Sequence, residues 1–185
     1  ISPRQLTAQG NNIVLINEIR IDQPGSDNDE YVELLGQAGD DLDGLTYIVI
    51  GDGAGGDGTV ESVTDLAGSF IPADGTFLIA ESTFTLNGAT PDLTTTLGFE
   101  NSDNVTHLLA LGFTGALGDD LDTDDDGTLD VTPWIVVIDA ISLVEDPTGG
   151  EKYYATTLGV PFNTAVNIGP DGTFVPGHVY RCTAG

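Results

Sequence analysis

The chain has 185 residues and sets 4 Lys+Arg against 30 Asp+Glu, a formal net charge of -26. A surface of that sign repels nucleic-acid phosphates and anionic lipid, which both need cationic contacts, so no nucleic-acid partner is expected. The apolar share of 39% is too high for a disordered acidic tail, and no run approaches the roughly 18 apolar residues of a membrane insertion.

The length fits one domain with a proper core. Self-repulsion at this charge predicts an offsetting agent, either divalent cations or high external salt. Residues 1–12 are polar and read as an N-terminal arm, and residues 13–185 read as a single domain. Met is absent throughout, position 1 included, so the start is expected to be a processed end or to lie inside a longer reading frame. A removed signal peptide is the simplest account, which predicts a secreted or cell-surface protein. Cys182 is the single cysteine, so no disulfide can form within the chain. It is either an isolated thiol or the half of a bond to a residue outside this sequence or on another chain.

Strand signals follow in order. Across residues 13–21 the alternation puts Ile13, Leu15, Ile19 and Ile21 on one face and Glu18 and Arg20 on the other. Further strands are predicted at residues 31–35, 45–50, 59–66, 76–80, 105–111, 135–144, 152–158 and 173–180. Gly, Asp, Asn and Pro punctuate the gaps, and no segment shows useful helical periodicity. Short strands with turn signals between them predict an all-β fold, a sandwich of antiparallel strands. The glycine-rich stretch 51–58 lacks the Lys-Ser/Thr ending of a phosphate loop and reads as a flexible connection.

The chemistry concentrates in residues 119–130, which hold seven aspartates in twelve positions. With Asp122 at position 1 of a calcium loop, Asp124 falls at position 3 and Asp126 at position 5. Gly127 takes the sharp turn, Thr128 offers a carbonyl at position 7, and Asp130 stands at position 9. Alternate side chains of a tightly curling segment converge on one centre, and calcium takes about six to eight oxygens at 2.3–2.6 Å. Position 12 is Pro133 rather than a bidentate Glu, and no helix flanks the loop, so this is no EF-hand. The missing ligand is expected from Asp120, Asp139 or a backbone oxygen. The second acidic stretch, 27–30, reads as a polar turn whose side chains bond the backbone, with a cation site beside Glu18 or Asp22 as the alternative.

Catalytic groups are sparse. His107 lies in an alternating strand and reads as structural, and His178 lies near a turn. No serine occupies a nucleophile elbow. No enzymatic activity is therefore expected, a metal-dependent hydrolase being the least favoured alternative. Tyr47, Tyr153, Tyr154 and Trp134 could form a sugar-binding platform, although aromatic residues of a sandwich are more often core. Asn104-Val-Thr106 matches an N-glycosylation acceptor.

Three runs carry a family resemblance: Leu15-Ile-Asn-Glu-Ile19, Asp29-Glu-Tyr-Val-Glu-Leu34 and Leu42-Asp-Gly-Leu-Thr-Tyr47. Together they resemble the opening of the lamin-tail domain family. Ile71-Pro-Ala-Asp-Gly75 is similar to a later turn of that family, and the acidic stretch before Trp134 is similar to a long insertion in a bacterial extracellular variant. The resemblance implies an immunoglobulin-like β-sandwich serving as a non-catalytic appendage or surface module. It also implies a final strand beyond Val179-Tyr-Arg-Cys182, missing here or supplied by a neighbour. The expectation is thus a calcium-stabilised structural module that forms homo-oligomers or filaments through sheet edges. The alternative is an accessory domain of a larger secreted hydrolase that binds surface glycan.

Overall fold

Strand β1 (Leu15–Arg20) begins with its side chains alternating, but the alternation changes phase partway along. A β-bulge between Ile16 and Glu18 inserts one residue against β2 (Tyr31–Leu35). Val14 and Ile16 face the core before the bulge, and Ile19 and Ile21 face it afterwards. Ile13 and Leu15, expected beside Ile19, are only half-buried for that reason. Strict period-2 reading fails wherever an extra residue enters the ladder.

The structure is a computed structural model and describes residues 13–182; the arm predicted at residues 1–12 lies outside them. The remaining strands are β3 (Leu45–Gly51), β4 (Thr59–Asp65), β5 (Thr76–Ala80), β6 (Leu93–Thr94) and β7 (Val105–Leu111). β8 (Val136–Leu143), β9 (Val166–Ile168) and β10 (His178–Tyr180) complete the set. They form two sheets of five strands, ordered β10-β1-β2-β5-β6 and β4-β3-β7-β8-β9. The chain is thus an all-β sandwich. Pairing is antiparallel except at one edge of each sheet, where β6 joins β5 and β9 joins β8 in parallel.

Ile16, Ile19, Val32, Leu34 and Ile79 from the first sheet meet Tyr47, Val49, Leu109 and Ile141 from the second. Each such side chain contributes about 1.5–3 kcal/mol on burial. Two polar groups sit within this core. Tyr47 Oη lies 2.6 Å from His107 Nδ1, and both residues are fully buried. Burial pushes the His107 imidazole down to about 3, so it is neutral at physiological pH. Its structural role matches the alternation of its strand.

A second apolar cluster lies on the outer face of the second sheet, where Ile48, Ile50 and Leu108 meet Leu121, Tyr154 and Ala155. That face is covered by two loops rather than by water, and every residue of β3 is consequently buried. One covering segment explains a correction. Residues 152–158, expected as a strand, form a 3₁₀ turn at Ala155–Thr157. This turn hangs from the sheet by side chains: Tyr154 N donates to Thr106 Oγ1 and Ala155 N to Ser142 Oγ, both at 3.0 Å. The run expected as a strand over residues 173–180 joins a sheet only at His178–Tyr180, beside β1, and Phe174 makes an isolated bridge to Asp171. Asn104, the expected glycosylation acceptor, is 1% exposed. Its amide donates to the carbonyls of Asp146 and Glu151, so it acts as a clamp on the cover.

Candidate metal centre

The aspartate loop follows β7 and docks against the start of β4. Val60 N donates to Asp119 O, Gly118 N to Val60 O and Leu121 N to Gly58 O, at 2.8–3.1 Å. Leu121 anchors the loop from beneath in the outer apolar cluster. The stretch 51–58, expected as a flexible connection, is pressed against it. A Cβ at Gly58 would stand 2.6 Å from Asp122 Cβ, so this close approach requires glycine.

Asp122 organises the loop and is fully buried. Its Oδ1 accepts from Asp126 N at 3.2 Å and its Oδ2 from Gly127 N at 2.8 Å. Tyr154 Oη donates to the same Oδ2 at 2.8 Å, which ties the loop to the other covering segment. Burial raises the Tyr154 hydroxyl well above its ordinary range, with the bond to Asp122 adding to the effect. Asp125 and Gly127 both take positive φ, at 56° and 90°, and the chain turns sharply there. Gly127 therefore sits where the calcium-loop register places its turn.

The structure brings Asp122, Asp124 and Asp130 together, with one carboxylate oxygen of each within 4.8 Å of the others. Ligands 2.3–2.6 Å from a common ion can be no farther apart than about twice that distance, a spacing condition that these three oxygens meet pairwise. Asp130 Oδ2 also accepts from Thr123 N and Oγ1, at 2.9 and 2.6 Å. The Asp126 carboxylate, nearest in charge to Asp124, pushes the Asp124 carboxyl upward, as like charges do at short range.

The other candidates hold the loop's shape. Asp126 Oδ1 accepts from Thr128 N at 2.8 Å, and Asp120 Oδ1 accepts from Asp122 N at 3.1 Å. Thr128 would serve through its carbonyl oxygen. Asp139 is not available to the loop. It is fully buried and paired with Arg181, whose terminal nitrogen lies 2.8 Å from both carboxylate oxygens. The stretch 27–30 behaves as a tether between segments. Asp29 Oδ1 accepts from Thr85 Oγ1 at 3.1 Å, and Glu30 Oε2 accepts from Phe99 N at 3.1 Å.

His178 lies on the outer face of the first sheet, 2.6 Å from Glu18 and 3.3 Å from the Tyr31 hydroxyl. Of the aromatic residues expected as a sugar platform, Tyr47 and Tyr154 are fully buried and cannot stack on a ligand. Trp134 stacks on Phe113 with ring centroids 6.5 Å apart. An aromatic groove does exist beside Tyr31 and Phe84, which meet edge to face at 5.7 Å. Glu18, Glu33 and Asn87 line it with them. None of the described helices is long and apolar enough to cross a membrane. No family model, curated protein or solved structure matches the chain.

Proposed function

We propose that this chain is a non-catalytic, calcium-stabilised structural module of a secreted or cell-surface assembly, built on the lamin-tail plan. The observation that carries the reading is the convergence of Asp122, Asp124 and Asp130 on a loop already closed by hydrogen bonds to Asp122. Such a loop binds an ion without much rearrangement, so binding energy adds to the stability of the fold. The ion would neutralise the loop where it covers the second sheet, and Tyr154 would transmit that rigidity to the neighbouring segment. The chemistry available supports a structural role over catalysis, because the His107 imidazole is fully buried against the Tyr47 hydroxyl, out of contact with solvent.

Assembly would use the sheet edges. β10 covers the edge of β1, and β6, β9 and β10 are edge strands of only two or three residues, whereas β4 ends the second sheet with seven. Very short edge strands resist pairing, so the longer β4 edge is the one to accept a strand from a neighbour. Sedimentation velocity with millimolar calcium, against the same protein in chelator, tests the proposal. Calcium-dependent oligomers are expected, and a monomer at high concentration in both conditions would count against self-assembly.

The Tyr31–Phe84 groove favours a second reading, an accessory glycan-binding domain. A ring face beside two carboxylates and an amide suits a sugar. Tyr31→Ala would abolish binding to a glycan array under that reading and leave calcium-dependent assembly intact.

A further inference from the structure

The groove on the outer face of the first sheet has a volume of about 240 Å³. Its acidic side is built by Glu18 of β1 and Glu33 of β2, which stand directly opposite each other across the strand pair. Leu78 of β5, next to Glu33 in the ladder, lines it from the sheet. Tyr31 and Phe84 form two walls with their rings at 80° to each other. The connection from β5 to β6 brings Asn87, in the 3₁₀ turn Leu86–Gly88, to the same groove. That connection is fastened to the first sheet at both ends: Thr85 N donates to Asp29 Oδ1, and Leu78 N donates to Asp92 Oδ2. The protein's own hydrogen bonds therefore hold the walls in place, which lowers the ordering cost of binding.

On a chain this acidic, charge alone decides nothing; the balance of donors and acceptors in the groove does. Tyr31 Oη and His178 Nε2 both engage Oε1 of Glu18, at 2.7 and 2.6 Å, and Asn17 Nδ2 donates to Oε1 of Glu33 at 2.7 Å. The second oxygen of each glutamate has no hydrogen bond among the described residues. No lysine or arginine pairs with either glutamate, since the ion pairs among the described residues are Arg181–Asp139 and His178–Glu18. Like charges directly opposite each other weaken a strand pair. The Tyr31 hydroxyl proton is committed to Glu18, so Asn87 is the lining side chain with donors to spare. The groove is thus rich in acceptors and lies beside aromatic rings. A protonated amine matches both properties, because it is a donor without acceptors and its charge is attracted to ring faces as well as to carboxylates.

We propose that this groove binds an amino sugar with a free, protonated amine, as a single residue of a de-N-acetylated hexosamine polymer. The inference rests on the glycan-binding reading of the groove and names the ligand class. The ammonium lies between Glu18 and Glu33, takes their second oxygens and offsets their repulsion. The C–H face of the sugar ring rests on an aromatic wall, and the Asn87 amide donates to a hydroxyl. The volume suits one sugar ring, being below the roughly 300–1,000 Å³ of pockets that enclose a whole drug-sized ligand. N-acetylation removes the charge and leaves one N–H of three, so the acetylated sugar forfeits the carboxylate contacts. Uronate and sulfated sugars carry the sign that a net charge of -26 repels. A lysine side chain shares the amine but has neither a ring face for the aromatic wall nor a hydroxyl for Asn87.

The test is calorimetric titration of the full chain at pH 6, in 0.15 M NaCl and millimolar calcium. The probes are a β-1,4-linked glucosamine tetramer, its fully N-acetylated form, the matching neutral glucose tetramer and tetralysine. The glucosamine tetramer is expected to bind saturably and at least tenfold more tightly than the other three. Glu33→Gln is expected to weaken that binding at least fivefold, while Asp65→Asn, which removes the same charge from the other sheet, leaves it unchanged. Thermal melts confirm folding. If Glu33→Gln does not fold, Phe84→Leu removes a ring wall and is expected to weaken the binding by a similar factor. Equal affinity for the acetylated or the neutral tetramer would overturn the amine assignment and leave the glycan reading standing. Equal affinity for tetralysine would make this a site for cationic peptide and overturn the sugar assignment. Binding that the folded groove variant leaves unchanged would be loose attraction to an acidic surface, and would sink the proposal. Binding of no sugar at all would remove the glycan reading together with it.

Discussion

The aspartate loop and the acidic cluster around Glu61 carry the same charge and treat it in opposite ways. In the loop, one continuous segment curls so that backbone amides meet its carboxylates: Asp122 takes Asp126 N and Gly127 N, Asp126 takes Thr128 N, and Asp120 takes Asp122 N. Around Glu61, the carboxylates of Asp52, Glu100, Asp103 and Glu151 come from separate segments and face one another, with the backbone of Gly53 beside Glu61. Burial raises the Glu61 carboxyl to about 7, with Glu100 and Asp52 adding repulsion, and a shared hydrogen bond with Asp103 raises Glu100 to about 7. The contrast teaches that the number of acids does not measure how far the fold has satisfied them. The loop is closed by its own backbone amides, whereas around Glu61 burial and like-charge repulsion raise the carboxyls instead.

The largest test of this contrast uses a buried carboxylate that already has its cation inside the chain. Arg181→Ala leaves Asp139 buried and unpaired, and is expected to destabilise the protein by about 3–5 kcal/mol in chemical denaturation. Calcium should not restore it, since Asp139 belongs to neither acidic cluster.

Next in size is pH. Burial raises Glu30, 4% exposed, from 4.5 to about 7. Between those values the folded state holds a proton that the unfolded state has released. The stabilisation is therefore full below about 4.5 and is lost as pH rises through about 7, a change on the order of 3 kcal/mol. Denaturation in chelator at pH 5 and at pH 8 should show greater stability at pH 5, and Glu30→Gln should reduce the difference. A protein equally stable at both values would refute the sign.

Asp122→Ala is expected to cost about 2–3 kcal/mol even in chelator, because two amides and the Tyr154 hydroxyl lose their acceptor. An effect seen only with calcium present would mean that the loop is not preformed. Glu61→Gln should act in the opposite direction and by less. In chelator it is expected to raise the melting temperature by about 2–4 °C, roughly 1 kcal/mol for a chain of this size.

Much of the sandwich was legible, because β2, β3, β5 and β7 each have enough alternating or continuous apolar residues to declare themselves. β6 and β9 were not, since two or three residues carry no period and parallel pairing leaves no hairpin signal. Residues 152–158 misled because Tyr154 and Ala155 are buried against the outside of a sheet, not within one. The convergence of Asp122, Asp124 and Asp130 was readable because these acids are neighbours in sequence. Tyr154 and the pressing of Gly58 onto Asp122 were invisible, as they join segments far apart. The same holds for the cluster around Glu61, where no two adjacent residues belong to one group. Its one sequence trace was Gly51 and its neighbours, whose glycines mark close contact rather than flexibility.

Thermal unfolding of the wild type, in chelator and in calcium at about 100 times the dissociation constant and equal ionic strength, tests the central claim most directly. Calcium is expected to add about 2.7 kcal/mol at the aspartate loop, a rise of roughly 5–10 °C. An unchanged melting temperature would contradict a calcium-stabilised module.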